Sequence, residues 1–572
     1  MSMKHKIWPV SALLACLALP FATDAGPSPM AGYIVEANGA PAAAQAVRRV
    51  GGEVTHELAI INGVSARLSG SQAARLRGQS GVQVFADSQV LTQAASGVTT
   101  KALAVNVPDI YQRAMIGVNE LAASGINGTG VTIAIVDSGI LQATKLTSLT
   151  HDLNGNNRML AQYDAINNVL VDASHPCKNY PCANDDYGHG SHITSLIAST
   201  NMTDAVLAGQ PQGIAPMAKL ISVKAFNGTG TATYASVLNG LNWILANRTT
   251  YGKIQVVNMS FGAKPQSYYW NDPIDQAVMK LWQAGIVVVT SAGNFGPKAQ
   301  TIAVPGNTPY VITVGAMTDN FTPNDPTDDG VTSFSSAGPT YEGFVKPDLV
   351  APGGHLAAFM DQDVQLLASN YPQFTSVDFN MFIMSGTSQA AAVTTGVVAL
   401  MLQANPSLTP DQVKCRLIAS ANAALGAGGK AAYSVFQQGA GRINAYGAVY
   451  SQAANCANQG LNIAADIAGT HHYGGPARQN ASTGVFYVVD SNGNALGNQG
   501  YLWNQSFAKS QGYLWNSASV WNEGYLWNNG YLWNNGYLWN NGYLWNNGYL
   551  WNQSSVASAS SPTAMESWNA QE

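Results

Sequence analysis

Four polar side chains stand beside glycine-rich turns that could hold them for chemistry. Ser388 follows Gly386 and Thr387, between the apolar segment Phe382-Ile383-Met384 and a buried-helix pattern over residues 389–402. Gly386 and Thr387 are expected to turn the chain, and Ser388 to open the helix. A hydroxyl there lies at the positive end of the helix dipole, beside N–H groups with no intrahelical partner. It could attack a carbonyl while those groups stabilise the resulting oxyanion. Asp137 ends the apolar run 131–136, His189 sits between Gly188 and Gly190 before an apolar helix, and Asn294 follows Ala292-Gly293. A serine hydroxyl is too weakly acidic to attack unaided. An imidazole can take its proton, and a carboxylate can fix the imidazole tautomer. Singly, each residue has a plainer reading as a helix-capping serine, a turn aspartate, a structural histidine or a turn asparagine. His192, almost a turn inside the helix, is expected to pack, leaving His189 as the base.

These residues need a scaffold. The chain has 572 residues, 46% of them hydrophobic, enough for a large core and for about two to four domains. Charged residues are only 10% and the net charge is −5, so no basic face exists to bind nucleic acid. From 108 to 452, apolar strands at 131–136, 220–224, 256–260, 286–290 and 311–314 alternate with helical patterns such as 233–247 and 272–284. The expected fold class is α/β, a mostly parallel sheet with helices on both faces. Functional residues belong at the carboxyl ends of its strands.

Asp137-Ser138-Gly139, Gly188-His189-Gly190-Ser191-His192, Ala292-Gly293-Asn294 and Gly386-Thr387-Ser388, in that order, closely resemble the subtilisin-like serine proteases (subtilases). Asn258-Met259-Ser260-Phe261-Gly262, Lys346-Pro347-Asp348 and Gly439-Ala440-Gly441-Arg442 extend the resemblance. It implies that Ser388 is the nucleophile, His189 the general base, Asp137 its orienter and Asn294 an oxyanion donor. Catalysis would need no cofactor. Ser260, Phe261 and Gly262, with Gly228, Thr229 and Gly230, would hold an extended protein or peptide substrate by main-chain bonds. Ala292 and Gly293 would line a pocket open to a bulky apolar side chain. The family often carries structural calcium. Asp185, Asp186, Asp319, Asp325, Asp328 and Asp329 are candidate carboxylates, equally readable as solvated loop acids because no calcium-loop spacing occurs. The family usually has methionine after the serine and a Pro-His pair soon after. This chain has Gln389, Ala392 and Val393 instead, which predicts tolerance of peroxide.

Residues 1–25 read as a secretory signal, with Lys4, His5 and Lys6 before a short apolar run. Leu13-Leu14-Ala15-Cys16 also resembles a lipoprotein signal, less well, because the run is short and broken by Pro9. Export to an oxidising compartment would leave Cys177, Cys182, Cys415 and Cys456, an even set that favours disulfides. A local Cys177–Cys182 bridge leaves Cys415 to pair with Cys456. The competing zinc reading lacks Cys-x-x-Cys spacing. Residues 31–92 are expected to form a ferredoxin-like α+β unit, with strands at 33–35, 53–60, 63–68 and 82–85, and helices at 42–50 and 71–77, the second capped by a serine. Ile61-Asn62-Gly63-Val64-Ser65-Ala66 resembles the inhibitory pro-domain of the same proteases, which implies that this unit is an intramolecular inhibitor; an ordinary N-terminal domain is the plainer reading. Residues 93–107 read as a cleavable link.

Beyond a linker or small extension at 453–499, residues 500–553 repeat Gly-Tyr-Leu-Trp-Asn with a period of six, including copies from Gly524, Gly530, Gly536, Gly542 and Gly548. Eight of the chain's 13 tryptophans lie there. Tyr and Trp would share one strand face, so hairpins or a small β-solenoid fit. Such a module could bind cell-wall glycan or another polymer; a structural cap and a disordered tract are the plainer readings. The tail, 554–572, reads as disordered. The functional expectation is a secreted serine endopeptidase made as a self-processed zymogen. Its rivals are an inactive adhesin on the same fold and a peptide ligase or cyclase.

Overall fold

Alternating side chains on the first strand serve two cores at once. The computed structural model describes residues 29–92, 112–141, 147–172, 184–202, 209–322, 325–376, 381–425, 431–490, 493–497 and 519–520. The leader, the 93–107 link, Cys177, Cys182, nearly all of the repeat tract and the tail lie outside the described residues. The N-terminal unit contains β1 (Met30–Glu36), α1 (Ala40–Arg49), β2 (Glu53–Leu58), β3 (Gly63–Ser69), α2 (Gly70–Arg77) and β4 (Gln83–Ala86). Its antiparallel sheet runs β2-β3-β1-β4. Val35 packs with Val64, Leu68, Val47 and Leu76 in the unit's own core. Its neighbour Ile34 points the other way and joins Leu58, Ile60 and Ile61 in the core of the larger domain.

One local expectation needs correction: the strand expected over 53–60 stops at Leu58, because Ala59–Ile61 form a 3-10 turn that ends on left-handed Asn62. The serine cap expected for α2 is Ser69: its hydroxyl accepts the Gln72 N–H while Gln72 accepts the Ser69 N–H.

The larger domain is built on β6 (Thr132–Asp137), β7 (Met159–Asp164), β8 (Val169–Val171), β9 (Lys219–Lys224), β11 (Ile254–Met259), β13 (Val287–Ser291), β14 (Ile312–Thr318), β15 (Gly330–Val331) and β16 (Leu349–Pro352). They form one nine-stranded sheet, ordered β8-β7-β9-β6-β11-β13-β14 with β15 and β16 both on β14. The central pairs are parallel and only β8 and β15 run antiparallel. β6, β11 and β13 are therefore adjacent, and their carboxyl ends present Asp137, Ser260 and Ala292 along one rim. The helix Thr387–Ala404 is buried along almost its whole length, so it is apolar all round rather than amphipathic.

A separate three-stranded sheet joins the two units. β5 (Gln89–Thr92), from the N-terminal unit, pairs antiparallel with β10 (Thr231–Thr233) on one side and β12 (Phe261–Gly262) on the other. Residues 453–490 are not a linker. Cys415 is bridged to Cys456, with Cα atoms 5.0 Å apart. Asp466 accepts the hydroxyls of Tyr269 and Tyr310, each at 2.7 Å. Ala477 and Val488 pack against Val345 and Phe436. Within the repeat tract, Ser519–Val520 pairs antiparallel with Tyr473–Gly474.

Candidate active site

Asp137 is 1% exposed at the end of β6. Its Oδ1 accepts Nδ1 of His189 at 2.8 Å and the Ser138 N–H at 2.7 Å. His189 opens the helix His189–Ala198 directly after Gly188, whose φ is +113°. The next residue must also be glycine: a Cβ on Gly190 would lie 2.1 Å from the Gly139 carbonyl oxygen. That approach presses the first turn of the His189 helix against the loop following Asp137. A carboxylate can only accept, so Nδ1 carries the proton and Nε2 keeps a lone pair. Nε2 is buried and has no hydrogen-bond partner among the described residues.

Ser388 is fully buried, one residue inside the helix that Gly386 caps. The helix opens at Thr387 rather than at Ser388, and Ser388 does not cap it. Its hydroxyl donates to the Ser260 carbonyl at 2.9 Å, and the Ser260 hydroxyl returns a 2.9 Å bond to the Ser388 carbonyl. The Ser388 helix packs against the His189 helix. Here the hydroxyl proton faces Ser260; rotation about χ1 redirects it, and catalytic hydrogen bonds commonly close only around substrate.

Asn294 follows the end of β13. Its Oδ1 accepts the Thr387 N–H at 3.0 Å and the Thr387 hydroxyl at 2.8 Å. A backbone N–H can only donate, so the acceptor atom is the oxygen and the NH₂ lies on the opposite edge. The Gly293 N–H donates to Thr387 Oγ1 at 3.2 Å. Ala292 is buried and bonded through its backbone to Val314 and Ala303.

Of the six residues expected to hold an extended peptide, Phe261 and Gly262 pair with Thr92 and Leu91 of β5. The Gly230 carbonyl accepts the Thr92 N–H at 3.3 Å. Gly228 and Thr229 instead form the turn closed by the Gly230 N–H on the Asn227 carbonyl. The strand beyond that turn, Thr231 to Thr233, supplies the paired edge. Sequence reading missed it, although Thr-Ala-Thr before a helix is a short strand signal. Along β5, Val90 is fully buried and Thr92 nearly so, while Leu91 is half-buried.

Sequence reading also missed a buried network beneath the pair of Asp137 and His189. Asp185 Oδ1 accepts Ser138 Oγ at 2.8 Å and the Gly188 N–H at 2.8 Å. Its Oδ2 accepts the Ser191 N–H at 2.7 Å and Gln365 Nε2 at 3.1 Å. His192 Nε2–H donates to the Phe382 carbonyl at 3.0 Å, because a carbonyl can only accept. Burial, and then the neighbouring His189, push His192 down to about 3. It stays neutral and packs.

The acids considered for calcium are dispersed among protein partners. Asp185 is saturated as described, and Asp186 lies 3.6 Å from Lys224. Asp319 pairs with His355 at 2.7 Å and Asp329 with Arg442 at 2.6 Å. Asp325 accepts the Thr327 N–H at 3.0 Å, and Asp328 the Thr322 hydroxyl at 2.7 Å. Among the described residues no three His, Cys, Asp or Glu side chains are grouped to hold a metal.

Comparison with known proteins agrees with this architecture. The sequence model of the subtilase family matches residues 128–447. Serine protease AprX of Bacillus subtilis is 39% identical over 293 residues, 50% of this chain and 60% of that protein. Subtilisin E of Bacillus subtilis is 28% identical over 374 residues, 65% of this chain and 78% of its own length. The crystal structure of fervidolysin from Fervidobacterium pennivorans, a keratinolytic enzyme related to subtilisin, superposes with a TM-score of 0.56 at 22% identity. That match covers 75% of this chain and 62% of fervidolysin, and at that identity it speaks for the fold alone.

Proposed function

Because this chain belongs to the subtilase family, we propose that it is a secreted serine endopeptidase, made as a zymogen that processes itself. The 2.8 Å bond from His189 Nδ1 to Asp137 carries this reading, since it leaves Nε2 as a base in the same buried rim as Ser388. Nε2 takes the Ser388 proton as Oγ attacks the scissile carbonyl. The imidazolium formed is stabilised by Asp137 and then protonates the leaving amine. Water repeats the sequence on the acyl-enzyme. Asn294 Nδ2 and the Ser388 N–H receive the oxyanion. Their orientation is fixed before substrate arrives, because Thr387 holds the Asn294 oxygen.

The N-terminal unit acts as the inhibitor. β5 fills the edge between β10 and β12 as a peptide substrate would, with main-chain pairing on both sides. Its direction carries the chain from Thr92 toward Ser260, the residue that holds the nucleophile. Self-cleavage therefore falls in the link at 93–107, close behind Thr92. The Cys415–Cys456 bridge fits export, where disulfides persist. Substrates are extended protein segments, and the repeats at 500–553 hold the enzyme to a polymer or cell-wall glycan.

The test compares the purified precursor with its Ser388→Ala form. The parent should shorten by its N-terminal unit while the variant keeps full length and hydrolyses no peptide substrate. Equal shortening of both, with no other protease present, would remove the self-processing claim.

A further inference from the structure

The docked face of the N-terminal unit holds a carboxylate in an acidic, water-poor setting. Glu36, the last residue of β1, is 7% exposed and its Oε1 has no hydrogen-bond partner among the described residues. Gly63 lies opposite it on β3, where a Cβ would come within 3.2 Å of Glu36 Cγ. Across the interface stands the N-terminus of the helix Pro273–Gln283, with Asp272 as its cap, Asp275 in its first turn and Gln276 in contact with Glu36. Asp272 is 2% exposed and Asp275 fully buried. Tyr234, from the adjoining helix, donates to Asp272 at 2.8 Å, and Glu342 faces Asp275 from the other side. No lysine, arginine or histidine among the described residues pairs with any of these four acids.

Two acids from different units, buried together without a cation, cannot both ionise without a large electrostatic cost. We propose that the N-terminal unit is held on the catalytic body by a protonated Glu36, so that alkaline solution loosens the docking and acts as a release signal. This rests on reading that unit as the inhibitor.

The titration has one sign. Burial, and then Asp272, raise Glu36 from 4.5 to about 8 in the docked state. The docked form binds the extra proton, so docking is favoured at low pH and weakens as pH rises through about 8. Between pH 6 and pH 9 that shift alone weakens docking roughly 100-fold. Asp87, whose Oδ1 accepts the Ala235 N–H at 2.7 Å, is also raised by burial and acts in the same direction. His56, facing Asp87 and bonded to Ser65 Oγ at 3.1 Å, is lowered by burial, which acts in the opposite direction.

The full-length Ser388→Ala chain tests this without depending on catalysis, so the outcome is separate from that of the peptidase reading. Amide hydrogen exchange, corrected for intrinsic rates, is followed at Ile60, Thr92 and Ala235, with β6 amides as the internal reference. Protection at the three interface amides should fall on the order of 100-fold from pH 6 to pH 9 while β6 stays protected. Adding Glu36→Gln, an uncharged isostere, should keep them protected at both values. The proposal is overturned by an equal fall in the Glu36→Gln chain, by no fall in the parent, or by loss of interface protection at pH 6 in the variant.

Discussion

Replacing Asp185 with asparagine should damage both stability and turnover, although Asp185 does not touch the nucleophile. The carboxylate is fully buried and accepts five hydrogen bonds: Ser138 Oγ, the N–H groups of Tyr187, Gly188 and Ser191, and Gln365 Nε2. An asparagine of the same shape must turn its NH₂ toward one side. Toward Oδ1 it faces two backbone donors that cannot invert; toward Oδ2 it faces the Ser191 N–H and Gln365. Gln365 can flip only by breaking the bond its Oε1 takes from the Asp361 N–H at 2.8 Å. At least one, and at most two, buried donors lose their acceptor, at about 1–3 kcal/mol each. The total is about 1–6 kcal/mol, at its upper end a large part of a typical domain's stability. Melting should fall by roughly 3–20 °C, measured on the Ser388→Ala background to avoid self-digestion. Ser138 bridges Asp185 to the Gly190 N–H, so the turn carrying His189 shifts with the lost bonds. kcat should drop further than KM rises. A variant that melts within about 2 °C of its parent and keeps its kcat would show that these five contacts do not hold the turn.

Three other outcomes follow from named contacts. Asn294→Ala should lower kcat by about 10²–10³-fold with little change in KM, the loss measured for the corresponding donor in subtilisin, itself a member of this family; an unchanged kcat would exclude Asn294 from the oxyanion site. Cys456→Ser opens a loop closed over 41 residues, which chain entropy values at about 4 kcal/mol, so urea unfolding should move to lower concentration in non-reducing buffer and not in reductant. Gln389 stands where the family usually has methionine, and the Met384 sulfur is buried against the Gln389 amide at 3.0 Å. Activity should therefore survive peroxide that oxidises exposed Met202, read by mass and residual turnover; fast inactivation tracking oxygen on Met384 would count against it.

What could be read from the sequence was local and periodic. Asp137, His189 and Asn294 each follow or precede an apolar run beside glycines, so strand ends and helix starts located them before any coordinates. The N-terminal unit was legible because its elements are short and each carries its own turn. The differences there are of one or two residues, at element ends such as Leu58 and Gly70. Asp185 was not legible in its real role. Its five donors come from residues 138 to 365, and only folding brings Gln365 beneath a turn at 188. Glu36 carries no signal in the sequence; its burial depends on a helix beginning at Pro273. The stretch after Cys456 reads equally as a linker or a small extension, because Asn, Gly and Ser rise there. Asp466 fixes it through two tyrosine hydroxyls that are 197 and 156 residues distant in the chain.

On the proposed peptidase reading, one short segment joins nucleophile and substrate in a single frame. The Ser260 carbonyl receives the Ser388 hydroxyl, while the next two residues, Phe261 and Gly262, pair with the strand lying in the cleft. That segment is itself immobilised: Ser291 Oγ donates to the Phe261 carbonyl at 3.0 Å, and the Phe261 ring packs on Phe226 at 5.0 Å. A peptide bond presented by main-chain pairing is therefore delivered at a set distance from Oγ whatever its side chains. Proximity of this kind can supply several kcal/mol of a barrier. It also explains why the same edge can serve inhibition. On the proposed zymogen reading, a strand that pairs there but remains tethered to a docked domain holds the nucleophile's own support, and release of the domain, not chemistry on the serine, then sets when the cleft opens.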